Sequence, residues 1–93
     1  MKPEDSRIAT IEVLYFARLR EAFGREREKI ELPGSVQDVA GLTAWLRNRG
    51  ETWARELAPG KPVRIAVNQD MAAADTPLGN GDEVAYFPPV TGG

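Results

Sequence analysis

The sequence predicts an α+β fold in which one mixed β-sheet carries one main helix packed on a single face. Two segments of alternating apolar residues come first, a stretch with helical spacing follows, and two further alternating segments close the chain. An early hairpin, a helix and returning strands pack as one two-layer domain. With 93 residues and 42% hydrophobic content, the chain can build a single core without metal or disulfide support.

The first strand is predicted over residues 8–16. Ile11, Val13 and Tyr15 share one face of it, and Leu14 and Phe16 share the other. Residues 17–23 can form one helical turn closed by a glycine, and residues 25–32 alternate charged and apolar side chains as an edge strand does. A Pro-Gly pair at 33–34 then ends the hairpin.

The main helix is predicted to begin at a capping box formed by Ser35 and Asp38 and to end at Gly50. Its helical stripe contains Val36, Val39, Ala40, Thr43, Leu46 and Arg47. A shorter helix is predicted over residues 51–57, with Trp53 and Leu57 facing inward.

The second half of the sheet is predicted from two alternating segments. Val63, Ile65 and Val67 form the inner face of a third strand, and residues 83–87 form the last strand after a glycine-rich turn at 79–82. We therefore expect a flexible polar leader over residues 1–7, a folded domain over residues 8–87 and an extended tail over residues 88–93.

Composition excludes several classes of function. The chain has no cysteine and no histidine, so thiol nucleophiles, imidazole bases and the usual metal sites are not expected. The formal charge is −2, which lacks the basic excess of a nucleic-acid binder. No apolar run approaches the roughly 20 residues of a membrane helix, and we expect a cytoplasmic protein.

The tail is the most informative segment of the chain. It reads Pro88, Pro89, Val90, Thr91, Gly92 and Gly93. Two prolines hold an extended backbone and prevent helix or sheet from continuing, whereas the glycines allow the terminal carboxylate to enter a narrow partner site. The alternative is a frayed polar end, which is common at chain termini. We expect residues 90–93 to become ordered only inside a partner.

The residues that surround these features resemble one known family. Residues 13–21 (VLYFARLRE), 66–69 (AVNQ) and 81–93 (GDEVAYFPPVTGG) are similar to the small subunits of molybdopterin synthase, the MoaD-type sulfur carriers of the MoaD/ThiS family. Their fold is the ubiquitin-like β-grasp. Tyr86 stands where that family often has phenylalanine, and the leader lengthens the usual start.

The resemblance implies a function for the carboxylate of Gly93. A MoeB-type activating enzyme, related to those that activate ubiquitin, would use ATP to adenylate it, and sulfur would then replace AMP. The resulting thiocarboxylate would donate sulfur to a pterin precursor within a complex with the MoaE-type large subunit. Catalytic side chains are expected on that large subunit, and this chain is expected to bind no cofactor or metal itself.

Strand alternation predicts where such partners dock. Ala85 and Phe87 should share with Leu14 and Phe16 the sheet face that the helix leaves uncovered, and Met71 can join them as an adaptable apolar contact. The resemblance implies that Phe16, Met71 and Phe87 contact the large subunit. The alternative is that these side chains complete a core.

Other functions remain open at this stage. The same Gly-Gly end serves sulfur carriers for thiamin, cysteine or tRNA thiolation, and it serves ubiquitin-like modifiers that are joined to lysines of target proteins. A plain protein-binding module with an inert tail is a further alternative.

Overall fold

The computed structural model of the protein describes residues 9–89. Within that range the chain forms, in order, β1 (Ala9–Tyr15), α1 (Arg18–Phe23), β2 (Arg27–Leu32), α2 (Val39–Arg47), α3 (Glu51–Glu56), β3 (Arg64–Val67), β4 (Asp70–Met71) and β5 (Glu83–Phe87). The predicted leader and the last four residues of the predicted tail lie outside the described residues.

The strands form a single sheet in the order β2-β1-β5-β3-β4. The central pair, β1 and β5, is parallel, and the other pairs are antiparallel. A parallel pair needs a crossover connection, and the helices between β2 and β3 lie within that connection. The predicted α+β class and the mixed sheet are confirmed, as is the edge position of β2.

The core lies between the sheet and its helices. Its central side chains are at most 1% exposed and come from β1, α1, β2, α2 and β5: Ile11, Val13, Tyr15, Leu19, Leu32, Leu42, Leu46, Val84 and Tyr86. The hydroxyl groups of Thr43 on α2 and Tyr86 on β5 lie 2.7 Å apart and join the main helix to the sheet. Burial at about 25 cal/mol per Å² of apolar surface makes this layer the main source of stability.

The predicted start of the main helix was wrong. The N-cap is Asp38, which has an extended backbone and accepts a hydrogen bond from the Gly41 N–H at 2.8 Å. Ser35 instead lies in a separate turn, in which the Val36 N–H donates to the Pro33 carbonyl. The helix also ends before Gly50, with Asn48 as its C-cap, and Gly50 precedes α3.

The short strand β4 was not predicted. It pairs antiparallel with β3 through a two-residue turn at Asn68 and Gln69, whose φ angles are 52° and 73°. Two consecutive positive φ angles are typical of the type I′ hairpin turn. Met71 therefore belongs to a short strand of its own.

A candidate docking face at the root of the tail

The two sides of the sheet differ sharply in exposure. Along β1 the side chains alternate between buried and half-buried, and β5 alternates in the same way. Val13 lies beside Val84 on the helix-covered side, whereas Leu14 lies beside Ala85 on the other side. We call the second side the open face; its residues are half-buried or exposed apart from the small side chain of Ala66.

A row of small and apolar side chains crosses the open face. The register aligns Leu14 on β1 with Ala85 on β5, Ala85 with Ala66 on β3, and Ala66 with Met71 on β4. Residues directly opposite each other on neighbouring strands share a face. The middle of the row therefore consists of two alanines, with the larger side chains of Leu14 and Met71 on either side.

Two phenylalanines lie beside this row, two residues further along the chain than Leu14 and Ala85. The rings of Phe16 and Phe87 meet edge to face, with 6.5 Å between their centroids. Such an arrangement is favourable for aromatic pairs. The Phe16 N–H donates to the carbonyl of Tyr86 at 3.1 Å, which extends the β1–β5 ladder to the point where the ring projects.

The backbone that follows Phe16 adopts a conformation that is rare for its residue type. Ala17 has φ 55° and ψ −129°, a combination that glycine normally supplies. This turn directs the chain from β1 into α1, and the Phe16 carbonyl accepts a hydrogen bond from the Leu19 N–H. Sequence reasoning gave no signal for this strain, because alanine carries no preference for it.

The exposed apolar surface of the open face comes mainly from two large side chains. Phe16 is 44% exposed and Met71 is 61% exposed, and among the described residues they are the exposed large hydrophobic side chains. Apolar surface of this kind marks a contact site when it is clustered on one face. The structure thus brings together all the side chains predicted for docking, Leu14, Phe16, Met71, Ala85 and Phe87.

The turn beside Met71 is fixed by a network that the sequence did not reveal. Asn68 donates to the Asp82 carboxylate at 2.9 Å, and its side-chain oxygen accepts from the Glu83 N–H at 3.0 Å. Asp82 also accepts from the Gly79 N–H at 2.7 Å. These bonds attach the β3–β4 hairpin to the turn that leads into the neighbouring strand β5.

The root of the tail adjoins the phenylalanine pair. Pro88 and Pro89 follow Phe87 directly, are half-buried and belong to no regular secondary structure. The predicted roles of Val90, Thr91, Gly92 and Gly93 concern residues outside the described range. What the described residues show is that the tail begins at the edge of the open face.

Four arginines from α1 to β2 form ion pairs, and two buried tyrosines keep their protons. Arg18, Arg20, Arg25 and Arg27 each pair with a glutamate. Burial raises the pKa of Tyr86, and burial together with a hydrogen bond to Glu28 raises the pKa of Tyr15, so both hydroxyls stay protonated near neutral pH. Within residues 9–89 no helix is long and apolar enough to cross a membrane.

Comparison with known proteins agrees with this arrangement. The model of the ThiS family matches residues 13–93. The chain belongs to the ThiS family. It is 42% identical to the molybdopterin synthase sulfur carrier subunit of Escherichia coli K12 over 83 residues, which cover 89% of this chain and 99% of that protein. The predicted family and the ubiquitin-like β-grasp fold are both confirmed.

Solved structures of family relatives share the fold. In a complex of subunits 1 and 2 of the molybdopterin-converting factor from Helicobacter pylori 26695, the matching chain is 28% identical, with a TM-score of 0.63 over 90% of this chain and 99% of that one. Small archaeal modifier protein 1 of Haloferax volcanii is 25% identical, with a TM-score of 0.73 over 88% of this chain and 99% of that one.

Proposed function

We propose that the protein is the sulfur carrier subunit of a molybdopterin synthase. The observation that carries the proposal is the open face itself, an exposed apolar surface that ends at the Pro88-Pro89 root of a tail leading to two glycines. The surface proposed for docking thus adjoins the two prolines from which the tail continues. The sequence similarity to curated sulfur carrier subunits extends over most of the chain and supports the same role.

The chemistry is carried by the carboxylate of Gly93. An α-carboxyl group has a pKa of roughly 3.3 to 3.7, so it is ionised at neutral pH and is a poor electrophile. Its oxygen attacks the α-phosphorus of ATP and pyrophosphate leaves, which gives an acyl-adenylate. Hydrosulfide then attacks the acyl carbon, AMP leaves, and loss of the remaining sulfur-bound proton gives a thiocarboxylate.

Two partners follow from this chemistry. An adenylating enzyme supplies the ATP site, because the carrier provides no phosphate-binding or catalytic side chain of its own in the proposed reaction. A large synthase subunit holds the pterin precursor and receives the tail. The two-subunit complex formed by the Helicobacter pylori relative supports the second partner. The open face is the surface that both would contact, one after the other.

Intact-mass spectrometry tests the carrier function. The protein is incubated with an adenylating enzyme of this family, ATP and a sulfur donor, and a control omits ATP. We expect a mass gain equal to the difference between sulfur and oxygen on the free protein. Adding the large subunit and the pterin precursor should then return the carrier to its original mass as sulfur is consumed.

A second function has a specific observation in its favour. The structural match to a small archaeal modifier protein makes covalent attachment of Gly93 to lysines a real alternative. The same incubation, carried out in a cell lysate, distinguishes the two functions. If isopeptide-linked conjugates form without any thiocarboxylate, the protein is a modifier and the carrier proposal is wrong. An unchanged mass would contradict both functions.

A further inference from the structure

A groove lies around the end of the sheet, between α2 and the strands β3 and β4. Its volume is about 650 Å³, and aliphatic side chains such as Val39, Val63 and Ile65 form most of its wall. Met71 of the open face and Pro89 of the tail root also line it. The groove is therefore continuous with the proposed docking face, although its inner wall belongs to the helix-covered side of the sheet.

The charges of this groove are all of one sign. Arg47, Lys61 and Arg64 line it, and none of the described residues that line it is acidic. Asp70 and Asp75 are neighbours in sequence of lining residues but do not line the groove themselves. In a chain whose formal charge is −2, a groove with this charge stands out.

The cations of the groove differ from those elsewhere on the surface. Six arginines outside it pair with carboxylates, namely Arg18, Arg20, Arg25, Arg27, Arg49 and Arg55. Within residues 9–89, the cations without an ion pair are Lys29 and the three that line the groove. The Nε atom of Arg47 is buried and has no hydrogen-bond partner among the described residues. An unsatisfied buried donor costs free energy that an acceptor from a partner would recover.

We infer that this groove binds an acidic segment of the large synthase subunit, anchored by an apolar side chain. The inference rests on the proposed function, and three features select the occupant. The aliphatic wall can bind an apolar anchor, and the unpaired cations can bind carboxylates. Met71 and Pro89 make the groove continuous with the open face, so the segment should belong to the partner that is proposed to cover that face. Exposed charges at the margin of an interface act mainly on the association rate and on its salt dependence.

The double variant Lys61→Glu/Arg64→Glu tests the inference. Binding of the purified large subunit is followed by biolayer interferometry at low and at high salt. We expect at least about a tenfold loss of affinity at low salt, carried mostly by slower association, and a much weaker salt dependence than that of the wild type. Arg47→Gln should weaken binding in the same direction, and Lys61→Arg/Arg64→Lys should restore wild-type behaviour.

A matched control changes two exposed cations on the helices outside the groove. Arg20→Glu/Arg55→Glu alters the net charge by the same amount, and we expect its affinity to stay within about twofold of the wild type. Circular dichroism melts confirm that every variant is folded. If the groove variant binds with the affinity and salt dependence of the wild type, or if the control loses as much affinity as the groove variant, the inference is wrong.

Two other occupants give distinct outcomes. If the groove holds this chain's own tail, deleting residues 90–93 removes the difference between wild type and groove variant, and the inference is overturned. If it holds a second copy, the variant changes the sedimentation of the protein alone, which also overturns it. A wild-type protein that does not bind the large subunit at all would contradict the proposed function, whereas unaffected variants contradict only the groove.

Discussion

Tyr15 and Phe16 are neighbours in sequence, but they lie on opposite sides of the sheet and differ in exposure. Tyr15 is 0% exposed, whereas Phe16 is 44% exposed. The Tyr15 ring packs against Phe23 and Trp53, which stack on each other at 3.8 Å, while Phe16 contacts the single ring of Phe87. Because successive side chains of a strand point to opposite faces, one side of β1 serves stability and the other is available for binding.

The helix-covered side also contains a network of charged side chains. Glu28 on β2 accepts a hydrogen bond from the Tyr15 hydroxyl at 2.6 Å and one from Arg49 at 2.7 Å. The Arg49 guanidinium lies 4.7 Å from the centre of the Trp53 ring. Among residues 9–89, no side-chain hydrogen bond or ion pair joins Leu14, Ala85, Ala66 and Met71 of the open face. We therefore expect substitutions on the covered side to change folding and those on the open face and tail to change function.

The largest expected effect is on function alone. Deleting Gly93, or adding a residue after it, should abolish thiocarboxylate formation, because the reacting carboxylate is moved or blocked while no core atom changes. Intact-mass spectrometry measures the product, and thermal melts should overlay those of the wild type. A deletion variant that still carries sulfur would contradict the proposed chemistry.

The next effect is on stability alone. Leu42→Ala removes a side chain that is 0% exposed at the centre of the core, and it should lower the free energy of unfolding by roughly 3 kcal/mol in urea titrations. Met71→Ala is the matched control on the open face, where the side chain is 61% exposed and the loss should be near zero. Equal losses in the free energy of unfolding would contradict the assignment of stability to the covered side of the sheet.

The sequence was sufficient to predict this division because it depends on local periodicity. The alternation of β1 and β5 is sufficient to assign Leu14, Phe16, Ala85 and Phe87 to one side, and Gly24 and the Pro33-Gly34 pair mark the breaks. Neighbouring residues along a strand must point to opposite faces, whatever the tertiary structure is.

Features that join distant segments could not be predicted in the same way. Glu28 and Arg49 are 21 residues apart, and neither residue type indicates the other. The β3–β4 turn lacks the glycine that usually marks a type I′ hairpin, so the sequence does not predict β4. The groove with its unpaired cations is assembled from α2, the α3–β3 connection, β3 and β4, and no single segment carries its pattern.

A third prediction concerns binding. Phe16→Ala and Phe87→Ala should each weaken association with the large subunit by more than about 1 kcal/mol, as expected for aromatic anchors, with little change in melting temperature. Because the two rings touch, the double variant should lose less than the sum of the single losses. Calorimetric titration measures the affinities, and Arg55→Ala on α3 is the control. Losses of stability as large as those of binding would place the rings in the core.

The smallest expected effect is on the pH dependence of stability, which tests the role of Glu28 on the covered side. Burial by itself would raise the pKa of Glu28, but hydrogen bonds from Arg49 and Tyr15 outweigh it and lower that pKa below its ordinary value of 4.5. A carboxylate with a lowered pKa in the folded state stabilises the fold above its unfolded pKa. That contribution is lost as the pH falls through the folded pKa.

Glu28→Gln keeps the shape of the side chain and removes its charge. At pH 7 the variant should be less stable than the wild type by about 1 kcal/mol, because charge-assisted hydrogen bonds at a partly exposed site are weakened by solvent. The difference should shrink as the pH drops below about 4.5, because the Glu28 carboxyl of the unfolded chain takes up its proton there before that of the folded chain does. Urea titrations across this range measure it, with Glu26→Gln as the control, since Glu26 is 69% exposed and pairs with Arg20 only at 3.7 Å. A stability difference that stays constant with pH would show that the Glu28 charge does not hold the covered side together.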